Sequence, residues 1–215
     1  MSFVEYVQRN ADRITLLTLQ HVQVVLLSVA FATLIGVGLA LVTEHAPRSR
    51  RMLLAVTGTL LTLPSFALFG LLIPILGLGL APTVVALTMY AVFPILRNTV
   101  TGLEGVDPAV LDAARGMGMS SGTRLRSVRL PLAWPVILNG IRVATIMLVA
   151  IAAIGAAVRG PGLGELIFRG LARIGGANAL DEALSGVVGV VLVALVLDLA
   201  FVVLARLTTP RGLHG

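Results

Sequence analysis

The chain has 215 residues, of which 57% are hydrophobic and only 12% are charged. Soluble globular domains carry about 25% charged residues, so this composition predicts one all-α integral membrane domain with several spans. The absence of cysteine excludes a disulfide framework, a thiolate metal site and a thiol nucleophile. The net charge of +6 comes from arginines beside apolar stretches, which indicates anionic lipid headgroups and no nucleic acid.

Long apolar stretches predict five membrane spans, since about 20 residues cross a hydrocarbon core of about 30 Å. A short interfacial helix is expected before them, within residues 1–18. No cleavable signal peptide is evident, because charged residues such as Glu5 and Arg9 precede the first apolar stretch. Gly36 and Gly38 offer the first span either a close-packing surface for another helix or flexibility on a lipid-facing side. The predicted spans of this single domain, residues 1–215, are 20–43, 52–76, 82–103, 132–158 and 184–207.

The second predicted span contains a kinked, partly polar segment around Pro64. A proline removes one helical hydrogen bond, and lipid tolerates the freed carbonyl only where protein or a water-filled cavity satisfies it. Pro64, Ser65, Phe66 and Phe69 are therefore predicted to line a translocation path, with an aromatic side chain as its gate. The alternative is an ordinary proline kink packed inside the bundle.

The longest polar interval, residues 104–131, lies between the third and fourth predicted spans. Asp107 can cap a helix whose first turn accepts Pro108, and Gly116 and Gly118 can end that helix. Its apolar face comprises Val110, Ala114 and Met117. Ser120 can cap a second short helix, which carries Arg124, Arg126 and Arg129. A short amphipathic helix between two spans is expected to be held by a partner outside the membrane.

Three ionisable residues lie within or beside predicted spans, where charge is costly unless it is paired or faces a cavity. Arg142 and Asp198 could form an intramembrane pair inside the bundle, and a structural pair is favoured over a substrate site. Arg97, near the end of the third span, is expected to extend toward the inner headgroups. The three histidines share no helical face, so neither a metal site nor a proton relay is predicted.

Arginines divide unevenly between the two sides that five spans create. If residues 104–131 are cytoplasmic, the inner side holds ten arginines, counting Arg97, and the outer side holds five. Because positive charge concentrates on the cytoplasmic side, the N-terminus is predicted outside and the C-terminus inside. Trp134 then lies at the inner interface as an aromatic anchor.

The outer interval, residues 159–183, is rich in glycine but has no Gly-Lys-Ser/Thr, so it is not a phosphate-binding Walker loop. The chain therefore needs a partner to use ATP by that route. Leucines and isoleucines from Leu163 to Ile174 predict a short amphipathic helix. It either docks a binding protein on the outer surface or packs over the bundle.

One motif in the polar interval resembles that of a known family. The pattern Asp112-Ala113-Ala114, three residues, Gly118, nine residues and then Val128-x-Leu130-Pro131 resembles the "EAA…G………I-x-LP" loop of ABC-importer permease subunits. Asp and Val stand here for the usual Glu and Ile. The resemblance implies that these residues, from Asp112 to Pro131, form a coupling helix that docks into a groove on a cytoplasmic ATPase.

Further segments, Thr62–Pro74, Leu96–Gly102 and Gly162–Gly170, resemble the osmoprotectant permeases, which carry glycine betaine, carnitine, choline and related amines. The departure is Pro161, which precedes the outer glycine motif. The resemblance implies a type I importer in the bacterial cytoplasmic membrane, with a like or sister permease and an extracytoplasmic substrate-binding protein. It also implies partner ATPase subunits that hold ATP and Mg, and no cofactor on this chain.

The aromatic residues Phe66, Phe69 and Tyr90 are the candidates for substrate contact under this resemblance. Two alternatives stay open at the level of sequence. One is a type I permease for another small solute, such as an amino acid. The other is a self-contained channel or secondary carrier, which would transport without ATP.

Overall fold

The computed structural model describes residues 2–208, and all regular structure in that range is helical. A π-helical turn, Leu125–Arg129, joins α7 to α8, and a 3₁₀ turn, Gly155–Val158, follows α8. The helices are α1 Phe3–Arg9, α2 Ala11–Val42, α3 Pro47–Leu60, α4 Ser65–Leu76, α5 Leu80–Glu104, α6 Pro108–Gly116, α7 Ser121–Arg124, α8 Leu130–Ile154, α9 Gly164–Ala172 and α10 Ala179–Thr208.

Four continuous helices in the described range are long and apolar enough to cross a membrane: α2, α5, the continuous helix Ser121–Val158, and α10. The helices α3 and α4 pass the same test only together, and they meet at an angle of 98°. The second predicted span is therefore two helices with a sharp break. The count of five spans stays a prediction that treats this bent pair as one span.

The break between α3 and α4 has a local cause in the sequence. Pro64 has no N–H to donate and disfavours helical geometry at Leu63 before it. The backbone accordingly closes with short turns, in which Leu63 N–H donates to the carbonyl of Leu60 at 3.2 Å. That bond occupies the Leu60 carbonyl, which has lost Pro64 as a helical donor. The Leu63 carbonyl, which no helical N–H reaches at the break, accepts a hydrogen bond from the Tyr90 hydroxyl at 2.9 Å. Protein groups thus satisfy both carbonyls that the break leaves without a helical donor.

The helix α5 lies at the centre of the bundle, between α2 and α8. Small residues bring the backbones together: a Cβ on Gly140 of α8 would lie 2.5 Å from Cβ of Asn98 on α5. On α2, a Cβ on Gly36 would lie 3.0 Å from Cγ2 of Ile95, whereas Gly38 has no neighbour within 4 Å. The predicted close-packing role therefore applies to Gly36 and not to Gly38.

The end of the bundle opposite α6 is closed by α9, which packs on α10. A Cβ on Gly164 would lie 1.9 Å from the carbonyl oxygen of Ala153, and the side chains of Leu163 and Leu166 are fully buried. Of the two alternatives for this amphipathic helix, the structure has it packed over the bundle. Ile174, beyond the end of α9, stays exposed.

An ion-pair network ties the N-terminal region to this end of the bundle. Arg13 of α2 donates to Glu182 of α10 and to Glu165 of α9, each at 3.1 Å. Glu182 is buried, and the Arg169 and Arg173 guanidinium groups lie within 4.0 Å of its carboxylate. Near this network, burial and the Glu182 carboxylate raise the pKa of the Tyr6 phenol. These contacts fix the start of α2 nine residues before the predicted span begins.

Candidate functional site

The polar interval folds as the sequence predicts at its first helix. Oδ1 of Asp107 accepts a hydrogen bond from Ala109 N–H at 2.8 Å, and Pro108 occupies the first turn of α6. Gly118 adopts the left-handed conformation, with φ +78°, while Gly116 is the last helical residue. The glycine that ends the helix is therefore Gly118, because only it takes the positive φ that glycine tolerates.

The surface of α6 is split between the bundle and the outside. Ala114 is buried, whereas Val110 is 42% and Met117 70% exposed. Ala113 and Gly118 are also exposed, and no atom lies within 4 Å of the position that a Cβ on Gly118 would occupy. The predicted apolar face thus gives one small residue to the bundle and leaves two apolar side chains exposed.

Charged contacts anchor this segment to the rest of the bundle. The Arg129 guanidinium pairs with the Glu44 carboxylate in the turn between α2 and α3, and it donates to the carbonyl of Leu103 at 3.1 Å. Arg50 of α3 pairs with Glu104 at the end of α5 at 2.6 Å. Sequence reasoning missed these two pairs; the one available signal was the acidic residue in the otherwise basic turn at 44–51.

The second short helix predicted after Ser120 does not end before the membrane. Ser120 does cap it, accepting from Thr123 N–H at 3.3 Å, but α7 continues through the π-turn into α8. In that turn Leu130 N–H donates to the carbonyl of Leu125, five residues earlier. The wider turn lies just before Pro131, where the regular ladder loses a donor in any case. Residues 121–158 therefore form one continuous helix, so a displacement of α7 is transmitted directly to α8.

The five candidate path residues occupy different environments. Ser65 and Tyr90 line one cleft of about 330 Å³, together with Leu61, Leu63, Met147 and Ile151. Pro64 and Phe66 are exposed, Phe66 by 59%. Phe69 is fully buried in the core. The structure thus brings Ser65 and Tyr90 together at the break and separates Phe69 from them; their roles in transport stay predictions.

Arg142 and Asp198 form an ion pair, as proposed from the sequence. Nε and Nη2 of Arg142 donate to the two carboxylate oxygens of Asp198, each at 2.7 Å. The side chains are 37% and 39% exposed, so the pair lies on a lateral face of α8 and α10 and not, as predicted, inside the bundle of this chain. Arg97 is exposed, and its guanidinium lies 6.0 Å from the centre of the Phe93 ring. In the described range no three His, Asp or Glu side chains are placed to hold a metal ion.

This all-helical bundle, with a bent helix pair and a short exposed helix between two long spans, has the fold of a type I ABC importer permease. Residues 32–212 match the family model "Binding-protein-dependent transport system inner membrane component", and the chain belongs to that family.

The relatives agree with this assignment over nearly the whole chain. The chain is 36% identical to the choline transport system permease protein OpuBB of Bacillus subtilis over 98% of its length and 95% of that protein. It is 38% identical to the osmoprotectant import permease protein OsmW of Salmonella typhimurium over 100% of both chains. A solved structure of the MetNI methionine ABC transporter, inward facing, matches with a TM-score of 0.79 and 25% identity, covering 92% of this chain and 96% of that one.

Proposed function

We propose that this chain is the permease subunit of an ATP-driven importer for a quaternary-amine osmoprotectant such as choline, glycine betaine or carnitine. The observation that carries the proposal is the exposed helix α6, whose family motif leaves Ala113, Met117 and Gly118 open to a partner. The substrate class is supported by the relatives, which are named as choline and osmoprotectant permeases. An amino-acid solute is the second candidate, favoured by the structural similarity to a methionine transporter.

In this proposal ATP and Mg are bound by separate ATPase subunits, and α6 is the helix that those subunits hold. The motif residues from Asp112 to Gly118 contact the ATPase, and Leu130-Pro131 lead the movement into α8. The Glu44–Arg129 pair joins the same segment to the turn between α2 and α3. ATP-driven closure of the two ATPase subunits would then move α8 and the bent pair together and change access to the path.

The proposed assembly also contains a second permease subunit and an extracytoplasmic substrate-binding protein. It lies in the bacterial cytoplasmic membrane with the N-terminus outside and the C-terminus inside. A contact supports placing the start of α8 and the end of α10 on the same side of the membrane. Nε1 of Trp134, near the start of α8, donates to the Thr208 hydroxyl at the end of α10 at 2.8 Å. Pro64, Ser65, Phe66, Phe69 and Tyr90 are the proposed path residues.

The test is Gly118→Trp in the complete transporter, reconstituted in proteoliposomes with ATP inside. We expect the ATPase subunit to be lost from the purified complex and uptake of labelled choline or glycine betaine to be abolished, because the indole fills the open surface of α6. Gly175→Trp is the matched control: Gly175 also has a positive φ, +87°, and no neighbour within 4 Å, but it follows α9 at the opposite end of the bundle. The control variant should retain the ATPase subunit.

Three outcomes decide between the alternatives. Wild-type uptake and ATPase retention in Gly118→Trp would remove the coupling role of α6. Uptake that methionine but no quaternary amine competes with would move the amino-acid solute to first place. Uptake that proceeds without ATP would identify a self-contained carrier.

A further inference from the structure

The Arg142–Asp198 pair lies near the middle of the membrane. Arg142 is twelve residues past the first residue of α8, Leu130, which is about 18 Å along the helix at about 1.5 Å per residue. Asp198 is ten residues before the last residue of α10, Thr208, or about 15 Å. The ends from which these two lengths are counted lie on the same side, joined by the Trp134–Thr208 hydrogen bond. Half the thickness of a hydrocarbon core is about 15 Å, so both charges lie at mid-depth.

At that depth the pair is only partly covered by its own chain. More than a third of each side chain is exposed, 37% for Arg142 and 39% for Asp198. Charged groups at the bilayer centre face protein or a water-filled cavity, because hydrocarbon cannot solvate them. The lateral face that carries this pair is therefore not a lipid-facing surface.

A second polar group lies on the same face. Asn139 is exposed one turn before Arg142, and its amide has no hydrogen-bond partner within residues 2–208. A small cleft of about 140 Å³ lies between it and α10, lined by Pro135, Leu138, Asn139, Arg142, Phe201 and Ala205. Asparagine side chains in membrane helices hydrogen-bond across to neighbouring helices. Asn139 thus lacks the partner that a transmembrane asparagine ordinarily has.

The residues that flank Asn139 distinguish a protein neighbour from water. Val136 and Val143 lie on the same exposed stripe of α8, at 36% and 49% exposure. A continuous water-filled path would place polar groups along the stripe, whereas an isolated amide and ion pair between valines is the pattern of a packed helix interface. Only 6% of the most apolar stretch of the adjacent helix α10 is buried within this chain, so α10 is free to contact a second protein.

We propose that the face formed by Asn139, Arg142, Val143 and Asp198 is the contact surface for the second permease subunit, a chain of this same fold. The amide of Asn139 donates to or accepts from that subunit, and the subunit covers the ion pair. This inference rests on the proposed function, because it takes the second permease subunit from there and assigns it a place.

The experiment is photo-crosslinking within the complete transporter in its membrane. Benzoylphenylalanine replaces Asn139 in one variant and Val143 in a second, so that loss of folding at one position leaves the other as a test. The matched control replaces Val196, which is 66% exposed and lies two residues before Asp198, about 200° around the same helix at nearly the same depth. Mass spectrometry of the crosslinked peptides identifies the neighbour and shows whether it is a copy of this 22.4 kDa chain or a sister.

We expect positions 139 and 143 to crosslink a permease chain several-fold more than position 196 does. Crosslinking at 139 and 143 that does not exceed position 196, or that captures only lipid, would overturn the inference. A single cysteine at position 139 tests whether water reaches this face, and no other cysteine of this chain can react, because the chain has none. Labelling of that cysteine by a charged, membrane-impermeant thiol reagent, with no crosslink to a permease chain, would assign the face to a water-filled path.

ATP-driven uptake measured on the same preparations separates the two levels of failure. If uptake depends on ATP and the ATPase subunit is retained, a negative crosslinking result rejects the assigned face alone. If uptake needs neither ATP nor an ATPase subunit, the proposed function fails first.

Discussion

The spans α5 and α10 have opposite relationships between apolarity and burial. The helix α10 is the more apolar, yet only 6% of its most apolar stretch is buried within the chain, against 67% of that of α5. The more buried helix carries the polar residues Thr83, Thr88, Asn98 and Thr99, of which the three threonines are buried. In a membrane the solvent is itself hydrocarbon, so apolarity gives no preference for the interior. In this chain high apolarity marks the surface that lipid or another subunit covers.

Packing in this bundle depends on shape more than on hydrophobicity. At the α5–α8 contact, a Cβ on Gly102 would lie 3.0 Å from the carbonyl oxygen of Ala133, and one on Gly140 would lie 2.5 Å from Cβ of Asn98. Such contacts bring backbones close and gain dispersion energy that lipid tails cannot supply. Substitutions along α5 and α10 should therefore differ in effect according to the space available.

Gly140→Leu should have the largest effect. The new side chain would begin 2.5 Å from Cβ of Asn98 and 3.1 Å from the backbone oxygen of Pro94, so α8 must move off α5. We expect loss of monodisperse protein in size-exclusion chromatography of the detergent extract. Gly38→Leu on α2 is the control, since Gly38 has no neighbour within 4 Å. Equal recovery of both variants would mean that α5 is not the packing centre.

Asp198→Leu should have the next largest effect. It leaves the Arg142 guanidinium at mid-depth without its counter-ion, whereas Arg142→Leu together with Asp198→Leu removes both charges. We expect the double variant to be recovered in greater amount, and to unfold at a higher temperature, than Asp198→Leu alone. If the single and double variants behave identically, the pair is solvated by water and α10 has a wet face.

Leu87→Ala tests the buried helix α5 and should have a moderate effect on stability. Leu87 is fully buried, and its truncation leaves a cavity. We expect a loss of about 2 kcal/mol, the low end of the range for Leu→Ala in soluble cores, because no water-to-interior transfer is involved. Equilibrium unfolding in mixed detergent micelles measures the loss. A change near zero would show that the centre of the bundle repacks freely.

Leu192→Ala on α10 is the same truncation at an exposed position, where the side chain is 55% exposed. Lipid fills the space that the side chain leaves, so the expected change in the free energy of unfolding is within about 0.5 kcal/mol. The same unfolding titration measures it. A loss as large as that of Leu87→Ala would mean that a protein neighbour covers this side of α10 too.

Local features of the fold were predictable because their causes are local. Asp107, Pro108 and Gly118 place the start and end of α6 through capping and backbone conformation alone. Pro64 predicts an interruption for the same reason, since the missing donor belongs to the residue itself. The size of that interruption was not predictable, because the 98° angle depends on contacts such as the Tyr90–Leu63 hydrogen bond.

Contacts between distant parts of the chain were only partly predictable from the sequence. Arg142 and Asp198 were predictable partners because so few charges lie inside the spans. The Glu44–Arg129 and Arg50–Glu104 pairs were missed, since charged residues are plentiful outside the membrane and any of them could pair. The split of α6 between buried Ala114 and exposed Met117 was missed as well, because periodicity does not reveal which part of an apolar face meets the bundle.

The sequence by itself determined that this protein is a helical membrane permease with a short amphipathic helix between two spans, since apolar length, helix caps and the Asp112–Pro131 motif are properties of consecutive residues. Only the tertiary structure decided which spans are central, how α3 meets α4, and that an ion pair and a lone asparagine share one lateral face. In hydrocarbon, apolarity does not sort residues into inside and outside. Close backbone approach and polar pairing do so, and both require knowing which helices meet.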